Sequence, residues 1–86
     1  MNLKKFREQR AAHLRHRQLM RAADRVVSRH VIDNEPSRAT AAEVAALVFG
    51  WHGLRVPEDE ATEYLNAVLA DRGFPLLPSS AEAGES

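Results

Sequence analysis

Residues 40–74 read TAAEVAALVFGWHGLRVPEDEATEYLNAVLADRGF, and this stretch decides the fold. Thr40-Ala41-Ala42-Glu43 has the spacing of a capping box, in which the Thr hydroxyl and the Glu carboxylate satisfy each other's orphan backbone N–H groups. Behind it, Val44, Leu47 and Val48 recur at helical spacing, and Gly50 offers a left-handed stop. Pro57 suits the first position of a second helix, and Glu58, Asp59 and Glu60 place negative charge on the positive end of its dipole. Ala61, Tyr64, Leu65, Val68 and Leu69 then follow the i, i+3, i+4, i+7, i+8 pattern of one buried stripe. Arg72-Gly73-Phe74 closes the helix as a Schellman motif does, with Phe74 folded back on the last turn. Between the two helices, Phe49 to Val56 reads as a connection laid onto the core by its large apolar side chains. Trp51, the sole tryptophan, is expected there as a core anchor, the alternative being an exposed binding hot spot.

Working outward toward the N-terminus, neither Pro nor Gly occurs before Pro36. Residues 3–32 are rich in Arg, Ala, Leu and Gln, all good helix formers, which predicts one helix about 45 Å long. From Gln18 onward, Leu19, Ala22, Ala23, Val26 and His30 form an apolar stripe able to pack on the later pair, with His30 half-buried at its end. Before Gln18 the apolar residues Leu3, Phe6 and Leu14 do not continue that face. The expected organisation is therefore a basic helical arm over 1–17, a single small helical domain over 18–78 and a disordered tail over 79–86. The fold class is all-α, a long basic helix packed on a two-helix pair. Asp33-Asn34-Glu35-Pro36-Ser37 reads as the turn between them, with Ser37 a possible earlier cap, and Pro75-Leu76-Leu77-Pro78 as an extended strap.

The formal net charge is zero, yet the charges are segregated. Residues 1–30 hold nine Lys and Arg against Glu8 and Asp24, or +7, whereas residues 31–86 hold three Arg against ten acids, or −7. Such asymmetry points to a charged partner, nucleic acid or an opposed protein surface, unless the halves neutralise each other within the fold. At 100° per residue, Arg7, Arg10, Arg17, Arg21, Arg25 and Arg29 fall in a sector of roughly 120°. They lie opposite Leu19, Ala23 and Val26 and extend along about 33 Å of helix. Arg in place of Lys suits bidentate grip on phosphate or carboxylate. With Lys4 and Lys5 these arginines are the candidate nucleic-acid contacts, DNA ahead of RNA. Only Phe6 interleaves them as an aromatic, so stacking on unpaired bases is not expected from the linear order.

The helix pair also resembles the core of helix-turn-helix and winged-helix domains. Residues 40–48, TAAEVAALV, look like their positioning helix, and residues 61–74, ATEYLNAVLADRGF, look like the end of their recognition helix. That resemblance implies a trihelical fold and a role in DNA binding and transcription regulation. The chain departs from the pattern in two places. The connection is longer than the usual turn of three or four residues. Glu58, Asp59, Glu60 and Glu63 also put four carboxylates where a recognition helix meets DNA.

Other chemistry is thinly represented. The chain has no cysteine, hence neither a disulfide nor a thiolate ligand, and no apolar run long enough to span a membrane, so a cytoplasmic protein is expected. His13 and His16 lie three apart among arginines with no matching ligands, and no metal or other cofactor is expected. Neither a Ser–His–Asp arrangement nor a phosphate loop is present, and an enzyme is not expected. The alternative to nucleic-acid binding is an adaptor or inhibitor of the phage or plasmid type. It would bind a host polymerase or nuclease through the arginine helix, through the acids Glu58, Asp59, Glu60 and Glu63, or through Trp51. Self-association of the long helix through Leu19, Ala23 and Val26, giving a homodimer, is a further alternative.

Overall fold

A computed structural model describes residues 3–77, and the expected tail over 79–86 lies outside them. Three helices make up the domain: α1 (Leu3–Ile32), α2 (Ala41–His52) and α3 (Glu58–Asp71). The long helix ends where Asn34 turns left-handed at φ 58°, and the Glu35 N–H donates back to the His30 carbonyl at 2.8 Å. Asn tolerates that conformation because its short polar side chain bonds locally. A 3-10 turn over Pro36–Arg38 follows, and Thr40, not Ser37, caps α2. The capping box is complete: the Glu43 N–H donates to Thr40 Oγ1 at 3.2 Å, and the Thr40 N–H donates to Glu43 Oε1 at 3.2 Å.

Two local expectations need correction. Gly50 does not end α2, which runs on through Trp51 and His52. Gly53 is the stop, at φ 67°, its N–H closing on the Phe49 carbonyl at 2.7 Å. Gly50 tolerates a helical conformation at a cost of about 0.5–1 kcal/mol, whereas the left-handed position demands glycine. The connection accordingly shortens to residues 53–57, with Leu54 and Val56 half-buried against the core. Pro57 is the residue before α3 rather than its first, with ψ 149°. Its carbonyl still accepts from the Ala61 N–H at 3.0 Å. At the other end of α3 the Schellman closure has both bonds, Phe74 N–H to the Leu69 carbonyl and Gly73 N–H to the Ala70 carbonyl. The strap is then tied to α3 by Asn66, whose side-chain amide exchanges two hydrogen bonds with the Leu77 backbone at 2.8 and 3.1 Å.

The core lies where the three helices meet. Leu19, Val27, Val44, Val48, Leu65 and Leu69 are its largest fully buried side chains, with Ala22, Ala23, Ala39 and Ala61 between them. No aromatic ring is fully buried among the described residues. Leu19, Ala23 and Val26 are spent inside this core, so the face considered for self-association is covered within one chain. Glu60 and Tyr64 of α3, and Arg72 just past its end, meet Arg15, His16 and Asp24 of α1 in that order, so the two helices run parallel. No described helix is long and apolar enough to cross a membrane.

Candidate nucleic-acid interface

The charges on α1 divide according to the side they face. Arg15 forms a two-pronged pair with Glu60 of α3, one of its bonds being 2.9 Å. That pairing raises the Arg15 pKa and holds the Glu60 carboxyl below its ordinary value. Asp24 and Ser28 are both taken by Arg72, which donates to the Ser28 hydroxyl at 2.8 Å. His30 Nε2 lies 2.8 and 3.0 Å from the two carboxylate oxygens of Glu43, and donates to them because a carboxylate only accepts. Burial pushes the Glu43 carboxyl up, but the bonds from His30 and Thr40 outweigh it and leave the pKa lowered. His16 shares a hydrogen bond with the Tyr64 hydroxyl at 3.0 Å, its ring tilted against the phenol.

Arg7, Arg10, Arg17, Arg21, Arg25 and Arg29 have no such partners. All six are exposed, and none forms an ion pair among the described residues. Neutralisation by the acidic helix, one of the sequence alternatives, does not occur there: Glu60 goes to Arg15, outside the six-residue sector. Glu58, Asp59 and Glu63 are exposed and make no ion pair among the described residues. Lys4 and Lys5 are exposed on the first turn of α1. Four of the arginines, at 17, 21, 25 and 29, form an i, i+4 ladder. Each like-charged step in such a ladder costs roughly 0.2–0.5 kcal/mol of helix stability. The like charges of the ladder therefore oppose the helix, and its rungs are about 6 Å apart along the axis.

The last turn of α2 borders this ladder, which the linear sequence did not reveal. Trp51 is not a core anchor: the residue is 45% exposed, and its indole helps line a cleft of about 580 Å³ with Leu47, Arg25 and Arg29. His52 lines a smaller recess with Arg17 and Arg21. The two rings stand edge to face with centroids 6.2 Å apart. Phe49, also exposed, is turned elsewhere and carries the Arg55 guanidinium 5.7 Å from its ring centre. Trp51 stands in the last turn of α2, beyond Val44 and Val48, the residues of that helix that are fully buried. The signal that could have placed it was the second glycine: with Gly53 as the stop, Trp51 and His52 stay helical and take fixed directions. Comparison with protein-family models, with curated proteins and with solved structures gives no match for this chain.

Proposed function

We propose that the protein is a small nucleic-acid-binding accessory or regulatory protein that holds phosphates on the exposed arginine face of α1. The observation that carries this reading is the contrast on one helix: inward-facing charges are paired, and six outward-facing guanidiniums are not. Keeping repelling cations at regular spacing makes sense where an anion of regular spacing supplies the missing charge. Arg7, Arg10, Arg17, Arg21, Arg25 and Arg29 are the proposed contacts, supported by Lys4 and Lys5. Helices α2 and α3 serve as the scaffold that fixes α1. Sequence reading in the groove by α3 is not part of this proposal, since Glu58, Asp59 and Glu63 would confront phosphates. The role is binding without catalysis, in the cytoplasm, with DNA ahead of RNA.

The test is a titration of duplex DNA at several salt concentrations, comparing the wild type with Arg10→Ala/Arg17→Ala/Arg21→Ala. Log K should fall linearly with log salt, and the variant's slope should flatten by about 0.9 for each phosphate that it no longer neutralises. Parallel slopes would remove these three residues from the interface.

A second reading rests on a separate observation, the exposure of Trp51 and Phe49 beside charged helices. Trp and Arg dominate protein interfaces, and an adaptor or inhibitor of a host polymerase or nuclease would use such a patch, with Glu58, Asp59, Glu60 and Glu63 as its acidic counterpart. Recovery of a stoichiometric protein partner after nuclease treatment would favour that reading over the first.

A further inference from the structure

We infer that the ligand of this face is a single-stranded nucleic acid, whose backbone lies on the Arg17–Arg29 ladder while unpaired bases stack against Trp51 and His52. The inference rests on the phosphate-binding reading and narrows it to one class of nucleic acid. It begins from an arrangement that exists only in three dimensions. One edge of the ladder is lined by two neighbouring rings, His52 opening toward Arg17 and Arg21 and Trp51 toward Arg25 and Arg29. Proteins that hold single strands combine such a cationic track with aromatic faces, because every base has a π face whatever its sequence. A paired base offers only its edge, so a duplex resting on the ladder would leave the indole unused.

The size and charge of the cleft agree with this occupant. About 580 Å³ falls within the range of small-ligand clefts, which suits a flat base and its sugar. Leu47 supplies an apolar wall, and Arg25 and Arg29 flank the opening with charge opposite to phosphate. One carboxylate, Glu43, also lines the cleft, and it opposes an anion. That acid is engaged by His30 and Thr40, and it stands two helical turns from Trp51, about 12 Å along α2. Phosphate is therefore held at the arginine side and the base at the indole side.

Trp51 is the sole tryptophan, so its emission reports stacking without a label on the protein. The experiment titrates full-length protein with a fluorescein-labelled oligothymidine of twenty nucleotides and with a labelled duplex of equal length, at low salt. Anisotropy of the label reads binding, and Trp51 emission reads stacking. The single strand should bind more tightly than the duplex and quench Trp51. Trp51→Leu, with its helix content checked by circular dichroism, should weaken single-strand binding by about five- to a hundredfold and leave the duplex affinity within twofold. His52→Ala should weaken the single strand alone, by less. Equal binding of both forms without quenching, and without an effect of Trp51→Leu, would overturn the stacking inference and leave the phosphate reading standing. Binding of neither form would overturn both.

Discussion

The two faces of α1 follow opposite rules on the same turns of helix. On the inner face, Leu19, Ala22, Ala23, Val26 and Val27 are buried, and the charges at its margins, Arg15, Asp24 and His30, each reach a partner in another element. On the outer face, six arginines stand exposed and form no ion pair among the described residues. Backbone and length are shared, so the difference lies in the side chains alone. The inner face carries stability and the outer face carries charge that the fold does not use. A residue's contribution to folding and its contribution to binding can therefore be separated on this helix by substitution.

The largest effect is expected on the inner side. Leu65→Ala empties a fully buried site of α3 in the core that α1's inner face shares. It should cost about 2–5 kcal/mol in chemical denaturation, a large part of the stability of so small a domain. Next comes Thr40→Ala, which removes the capping box and frees the Glu43 carboxylate from one of its two tasks. A loss of about 1 kcal/mol in the same assay is expected. An unchanged midpoint for Leu65→Ala would mean that the core behind the inner face is not the seat of stability, and one for Thr40→Ala that the capping box contributes nothing measurable.

The margin charges come third. Glu43 and Glu60 both have lowered pKa values in the folded protein. A depressed carboxyl stabilises the fold above its unfolded pKa, and that contribution disappears as pH falls through the folded value. Stability should therefore be flat near neutrality and decline below the ordinary carboxylate range. Glu60→Gln should remove part of that acid slope and cost roughly 0.2–1 kcal/mol at neutral pH, the usual worth of a partly exposed pair. The smallest effect has the opposite sign. Replacing Arg21 and Arg25 by Ala relieves like-charge steps and installs a better helix former, so thermal unfolding should stay level or rise slightly.

Much of the inner face was legible in the sequence because its signals are local. The capping box, the apolar stripe of α3 and the Schellman ending each lie within a few residues, and periodicity alone places the six arginines on one side of α1. What was not legible depends on distant residues. Gly50 and Gly53 are equally good stops in isolation, and the structure places the left-handed turn at Gly53. Arg15 lies outside the arginine sector and finds Glu60 across 45 residues of sequence. Packing around Arg15 and His16 thus begins slightly before the expected edge at Gln18. Trp51 looked like core because large apolar side chains usually are, but it falls in the last turn of α2, past the buried Val44 and Val48, and is exposed. Its position beside Arg25 and Arg29 follows from the antiparallel packing of α2 on α1, which no local pattern encodes.

The separation of the two faces is tested most directly by one variant read twice. Arg17→Ala/Arg21→Ala/Arg25→Ala/Arg29→Ala removes the whole i, i+4 ladder and leaves the paired Arg15, Asp24 and His30 in place. Its thermal unfolding and its affinity for nucleic acid should be measured on the same sample at low salt. An unfolding temperature equal to or above the wild type's, together with binding too weak to detect, is the result expected of a ladder that serves only the ligand. A lowered unfolding temperature with binding intact would contradict it, and would return the arginines to the fold.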